Sequence, residues 1–416
     1  MIEEIMPVRF ENGRLMIIDQ TRLPVEEKYI ELKNSCDVWE AIRSLQVRGA
    51  PAIGIAAAFG LYIALRHSIA VSHSEFLAEF RAAKEKLASA RPTAVNLFWA
   101  LDRQERRLSR EIAALGGKYT RQFSEIDDHR PRNVDDHTIR NSLYPEVGDR
   151  LRDVDDHSRI RGSGADFEHM RRELLEALLD EAMKIRQEDE DACKAMGEFG
   201  LSLLKPGMGI LTHCNAGALA TARYGTALSP IHLGQMRGYG FKVFADETRP
   251  LLQGARLTAW ELMKAGVDVS LICDNMAASV MKKGWVQAVL TGCDRMAGNG
   301  DGANKIGTSA LAILAKEFGI PFYMFVPTST IDMKTASGED IPIELREGDE
   351  IRRLWYEKPM APEGVKTWNP AFDVTDHSYI TAVVTERGIV WPPFDEGLRN
   401  IMEVQGAEGL RPEMRR

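Results

Sequence analysis

The spacing of apolar residues changes along the chain, and each change predicts an element. The segment Arg9–Asp19, RFENGRLMIID, places Asn12-Gly13 between two short apolar runs, which predicts a tight β-hairpin. Val38, Ile42 and Leu45 share one face of a helix predicted over 36–47. Arg48-Gly49-Ala50-Pro51-Ala52-Ile53-Gly54 then leads into a helix rich in small residues. Residues 75–115 are amphipathic and helical, with a break at Arg91-Pro92. Helical periodicity returns over about 168–200. From Pro206 onward, short apolar runs (GILTHC, FKVFAD, VDVSLIC, AVLTGCD and PFYMFVP) alternate with helical stretches. This alternation predicts an α/β fold with a parallel sheet covered by helices. Ligands bind outside the carboxyl ends of such strands, so Cys214, Asp246, Asp274 and Asp294 are expected near a common rim.

Residues 118–167 break the pattern. They carry 11 Asp/Glu and 9 Lys/Arg with few large apolar side chains, too little to bury a core, and predict a mobile insertion. Asp-Asp-His recurs there at 127–129, 135–137 and 155–157. Its irregular spacing argues for a solvated segment and against a metal site. The expected division is an N-terminal domain over 1–195 containing this insertion, a catalytic domain over 196–400, and a tail over 401–416.

With 416 residues, 44% hydrophobic and 27% charged, the chain is long enough for two ordinary globular domains. A net charge of −8 gives no sign of a nucleic-acid-binding face. No apolar run approaches the roughly 18 residues that span a bilayer, so no membrane partner is expected. The start, MIEEIMPVRF, carries acids where a signal peptide carries bases. Five cysteines without a CxxC pair fit reduced thiols and a cytoplasmic setting. Cys36 and Cys193 fall in helical pattern and are read as structural; Cys273 and Cys293, beside Asp at strand ends, are read as packing residues.

Two positions carry the strongest chemical signals. Cys214 follows a strand and precedes small residues and an expected helix, whose dipole would stabilise a thiolate; the bland alternative is an inert buried cysteine. Asp294 ends an apolar strand and opens a loop, Asp294–Lys305, rich in Gly, Asn and Asp. Backbone there can approach a ligand closely, and the helix expected next would offer N–H groups and Lys305 to an anion. The alternative is a surface loop whose Asp merely caps a helix. Arg48-Gly49-Ala50 suits a phosphate, although a plain loop reads the same way. Arg91, in Arg-Pro-Thr-Ala-Val-Asn, is a similarly weak signal, and Gln253 is a polar group in a loop-to-helix passage whose plain reading is a solvated side chain.

Taken in order, RGAPAIG, RPTAVN, THCNAGALAT, ADETRPLLQGARLTAWEL, GCDRMAGNGDGANKIGT and PFYMFVPTSTID resemble the methylthioribose-1-phosphate isomerase family of methionine salvage. The resemblance covers about 1–115 and 170–400. That family is similar in fold to ribose-1,5-bisphosphate isomerase and to regulatory subunits of the translation initiation factor exchange complex. The resemblance implies a smaller, mostly helical α/β N-terminal domain, a Rossmann-like C-terminal domain and a homodimer. It also implies a sugar-phosphate substrate and aldose–ketose isomerisation without metal or nicotinamide. Position by position, Cys214 and Asp294 match the catalytic pair. Arg48, Gly49, Ala50, Arg91, Gln253, Asn304 and Lys305 match substrate-binding positions. The insertion at 118–167 departs from the family pattern and leaves those motifs intact. A different aldose 1-phosphate as substrate, ribose 1,5-bisphosphate or 5-deoxyribose 1-phosphate, and a non-catalytic regulatory subunit remain as alternatives.

Overall fold

The computed structural model describes residues 5–92, 94–120 and 164–403. Most of the predicted insertion, and the tail beyond residue 403, lie outside them.

The hairpin forms as predicted. β1 (Val8–Glu11) pairs antiparallel with β2 (Arg14–Ile18), and Asn12 and Gly13 both take positive φ in the turn. β3 (Tyr29–Leu32) completes a three-stranded sheet. Four helices follow: α1 (Ser35–Arg43), α2 (Ala50–Leu65), α3 (His73–Ala88) and α4 (Val95–Thr120). α2 is buried on all sides, which explains its lack of an amphipathic pattern. It begins inside the Arg48–Gly54 motif, not after it. α5 (Gly164–Ser202) is a single helix whose first half, Met170 to Ile185, packs with α1–α4 in one core. Its second half, from Cys193, packs in another. The expected division at residue 195 falls within it.

The second half of the chain builds a seven-stranded sheet from β4 (Gly209–Thr212), β5 (Lys242–Asp246), β6 (Asp268–Ile272), β7 (Ala288–Gly292), β10 (Phe322–Phe325), β13 (Ala382–Thr385) and β14 (Gly388–Val390). The five runs read from the sequence as strands are β4, β5, β6, β7 and β10. The order is β14-β13-β10-β7-β4-β5-β6, with only β14 antiparallel. Counting the parallel strands along the chain gives 3-2-1-4-5-6, the doubly wound order. Successive side chains face opposite sides. Ile210, Leu290, Tyr323, Phe325 and Val384 join the core under α5 and α6 (Ser229–Met236), while Leu211, Val289, Phe322, Met324 and Val383 join the core under α8 (Ala277–Lys282), α9 (Thr308–Glu317) and α11 (Phe394–Glu403). Both faces are therefore covered, as near-continuous apolar strands require.

A four-stranded sheet of β8 (Arg295–Ala297), β9 (Gly302–Lys305), β11 (Ile331–Asp332) and β12 (Phe372–Thr375) stands beyond the carboxyl ends of β7 and β10. Short α7 (Ala259–Lys264) and α10 (Asp349–Arg352) complete the elements. The segment Asp294–Lys305 is thus mostly a β-hairpin. Among the described residues no helix is long and apolar enough to cross a membrane.

Candidate active site

In a doubly wound sheet the order reverses between the first and fourth parallel strands, and the crevice opens there. Here those strands are β4 and β7, paired Ile210↔Ala288 through Thr212↔Leu290. Cys214 lies two residues beyond the end of β4 and Asp294 two beyond β7. Both line one cavity of about 80 Å³, together with Arg48, Gly49, Ala50, His213, Asn215, Thr226, Asn304 and Thr330.

The backbone at Cys214 is unusual: φ is +61° in a residue with a side chain. Its N–H donates to Thr248 Oγ1 at 2.8 Å, and its carbonyl accepts from Thr258 Oγ1 at 2.6 Å. Two threonines thus hold a conformation that local sterics disfavour. The helix expected directly after Cys214 is absent. Residues 215–228 form a loop with one 3₁₀ turn at Ala218–Ala220, and α6 starts only at Ser229. A helix dipole therefore does not explain the thiol. Burial pushes its pKa up, Arg48 and Lys305 pull it down, Asp294 adds to the rise, and the net direction is upward.

Asp294 is open to the cavity, but the protein surrounding the cleft raises its pKa against the pull of Lys305, Arg91 and Arg48. Lys305 is buried; its Nζ donates to Ala371 O at 2.8 Å and lies 4.7 Å from the Phe372 ring centroid. Burial lowers its pKa, with Cys214 and Asp294 opposing. Arg91 is lowered for the same reason, held by Glu344 and Asp294.

Arg48 precedes α2, and its Nη2 donates to Asn215 O at 3.1 Å and to Asn215 Oδ1. Gly49 caps α2 at φ +92°; a Cβ there would meet Ala220 backbone at 2.5 Å, so only glycine fits this contact. The first turn of α2 has neither a side-chain cap nor an acid. Its N–H groups and positive dipole end stand beside the cavity, ready for an anion.

The helix expected to offer Lys305 and its N–H groups to an anion behaves differently. Lys305 ends β9, and α9 begins at Thr308 with its first-turn amides, Gly307 N and Ser309 N, already donating to Asp373. Gln253 is buried with Oε1 unpartnered and does not line the cavity of Cys214 and Asp294. Neither do Arg91 and Lys305, whose charges nevertheless act on Asp294. Cys36, read as structural, is exposed on α1, with Lys86 Nζ 2.6 Å from Sγ.

Two clusters bring together metal-ligand types among the described residues, His213–Asp246–Asp274 and Asp301–Asp376–His377. Their carboxylates already serve the backbone: Asp274 accepts from Thr248 N and Arg249 N, and Asp301 from Gly338 N and His377 N. Sequence reasoning missed three polar residues of the site: His213 and Asn215, which line the cavity, and Glu261, which does not. Two of them flank Cys214 in its motif, and polar side chains at the buried end of a strand were the available signal.

The sequence matches the model of the initiation factor 2 subunit family over residues 46–392. A methylthioribose-1-phosphate isomerase of Symbiobacterium thermophilum is 55% identical, covering 96% of this chain and 97% of its own. A 5-deoxyribose 1-phosphate isomerase of Petrotoga mobilis is 51% identical over 96% and 99%. The crystal structure of 5-methylthioribose 1-phosphate isomerase from Pyrococcus horikoshii superposes with a TM-score of 0.77 at 41% identity, covering 96% of each chain. The chain belongs to the initiation factor 2 subunit family, on the branch that holds these isomerases.

Proposed function

We propose that this enzyme converts 5-methylthioribose 1-phosphate to 5-methylthioribulose 1-phosphate. The observation that carries the reading is the shared cavity at the sheet's switch point, lined by Cys214, Asp294 and the uncapped start of α2. Arg48 and the Gly49–Ala50 amides take the phosphate. Asn304 on β9, with Lys305, Arg91 and Gln253 at the periphery, binds the rest of the sugar. Holding the phosphate fixes the anomeric carbon between thiol and carboxyl.

The anomeric oxygen carries phosphate, so the ring opens only if its oxygen is protonated as the bond to C1 breaks. Asp294, with its raised pKa, is the acid for this step. The hydrogen on C2 then passes to C1 with its bonding pair. The C2 hydroxyl returns a proton to the Asp294 carboxylate, leaving the C2 ketone and restoring the acid. Cys214, a thiol held protonated by its surroundings, steadies charge on the C1/C2 side. In the competing enediolate route Cys214 removes the C2 proton and must be a thiolate. The same proposal takes the chain as a cytoplasmic homodimer built from a helical N-terminal domain and a Rossmann-like C-terminal domain, as the family resemblance implies.

A second reading, 5-deoxyribose 1-phosphate as substrate, is supported by the relative of that name at 51% identity. Assaying 5-methylthioribose 1-phosphate, 5-deoxyribose 1-phosphate and ribose 1,5-bisphosphate side by side decides between them. The highest kcat/KM is expected for the methylthio sugar. Turnover of none of the three, with stable association with a translation factor, would replace the proposal by a regulatory role.

A further inference from the structure

His213 stands immediately before Cys214, and its ring is 1% exposed. Nδ1 lies 2.9 Å from Asp246 Oδ2, and Nε2 lies 2.8 Å from the carbonyl oxygen of Ile306. A carbonyl only accepts, so Nε2 carries hydrogen. An ionised carboxylate also only accepts, so a second hydrogen must lie between Nδ1 and Oδ2. The chain Asp246–His213–Ile306 therefore holds two hydrogens and the pair has no net charge. With one hydrogen, two lone pairs would face each other at hydrogen-bond distance and a net negative charge would be buried without water.

The surroundings favour keeping the extra proton. Asp274 lies behind Asp246, and Asp373 on β12 faces the ring from the α9 side; both act electrostatically on the pair or are acted on by it. Glu247 adds negative charge beside Asp246. Burial, with Asp274 and Glu247, raises the Asp246 pKa to about 6 against the pull of His213; burial alone would lower that of His213, but its bonds to Asp246 and the Ile306 carbonyl, with Asp274 nearby, outweigh this and raise it. The approach is close by construction: a Cβ on Gly307, where φ is +105°, would come within 2.9 Å of the imidazole Cε1.

The ring thus spans two parts of the site. One end belongs to the residue before Cys214 and the other is bonded to the residue after Lys305. We propose that His213 is a positioning residue, which uses a permanently retained proton shared with Asp246 to pin the Cys214 loop against the Lys305–Gly307 turn. The kinetic side of this role rests on the isomerase reading; the protonation side does not.

The test has two arms on the full-length protein. In ¹⁵N-histidine-labelled enzyme, the His213 ring signals should stay unchanged between pH 5.5 and 9, with an Nε2 hydrogen resistant to exchange. A free titration near the ordinary imidazole value of about 6.5 overturns the proposal whatever the enzyme's substrate. In the second arm, Asp246→Asn lets the amide donate to Nδ1 of a neutral ring and keeps the bridge, whereas Asp246→Ala removes it. Asp246→Asn should retain kcat within about threefold, and Asp246→Ala should lose about tenfold or more in kcat with a smaller change in KM, as expected for misplaced catalytic groups. Equal kcat losses in the two variants, or none in either, refute the positioning role. Failure of the Cys214 and Asp294 assignment would leave the spectroscopic result standing.

Discussion

Arg48 and Asn215, 167 residues apart in sequence, are joined by two hydrogen bonds from one guanidinium nitrogen to the backbone and side-chain oxygens of the asparagine. The amide end of Asn215 in turn donates to Glu261 Oε2 at 3.0 Å and to Thr258 Oγ1 at 3.1 Å. Glu261 is fully buried and also accepts from Ala218 N and Leu219 N, with His232 Nε2 3.1 Å away. The arginine at the cavity wall is therefore set by a carboxylate that does not itself line the cavity.

Glu261→Gln turns one acceptor into a donor facing donors. It should cost on the order of 2–3 kcal/mol in stability and raise KM about tenfold as Arg48 loses its anchor. Thermal melting and steady-state kinetics on the same preparation check this. An unchanged melting temperature together with an unchanged KM would show that the relay has no such role.

Cys214→Ala and Asp294→Asn should each lower kcat by about 10² or more, with wild-type far-UV circular dichroism. Near-normal rates in both variants would end the assignment of the pair. Retention of C2 deuterium at C1 of the product supports migration with the bonding pair, and complete washout supports the enediolate route.

Gly49→Ala forces a Cβ into Ala220 backbone at 2.5 Å in a positive-φ conformation. A loss of about 2 kcal/mol or more and weaker substrate binding are expected. Gly13→Ala is the control: φ is +73°, but nothing lies within 4 Å of the added carbon. It should cost only about 1 kcal/mol of backbone strain and leave kinetics unchanged. Equal effects on KM would mean that the Gly49 contact is not specific to the site.

Asp189 on α5 accepts from Ala222 N at 2.6 Å, and burial raises its pKa to about 7. The native carboxyl binds a proton that the unfolded chain releases near pH 4. Its contribution to stability is therefore fully present below that pH and is lost as pH rises through about 7. Asp189→Asn keeps an acceptor for Ala222 and removes the proton, so it should flatten this part of the stability–pH curve. Urea titrations at pH 5 and 8 measure the difference; parallel curves for variant and wild type would rule the effect out.

Much of the site was legible because strand ends carry their chemistry in sequence. The five apolar runs gave five of the sheet's seven strands, missing β13 and β14, and two of them end at Cys214 and Asp294, which share one cavity. Residues after the strands were harder to read. The small residues from Asn215 onward suggest a helix by propensity, but their amides are taken up by Glu261, some forty positions later. The loop after Asp294 looked irregular because β8 and β9 are too short for periodicity to register. The expected anion site at α9 was lost to Asp373, a partner more than sixty residues away. Arg48-Gly49-Ala50 read equally well as a plain loop, because the contacts that set it, Asn215 on Arg48 and Ala220 against Gly49, lie about 170 positions further along the chain.

The continuity of α5 bears on how the molecule comes apart. Its leading turns complete the helical layer and its trailing turns seal one face of the large sheet, so neither layer can melt while the other keeps this rod intact. Heating should then yield one calorimetric peak instead of two, and a protease cut engineered near its midpoint should loosen both halves at once.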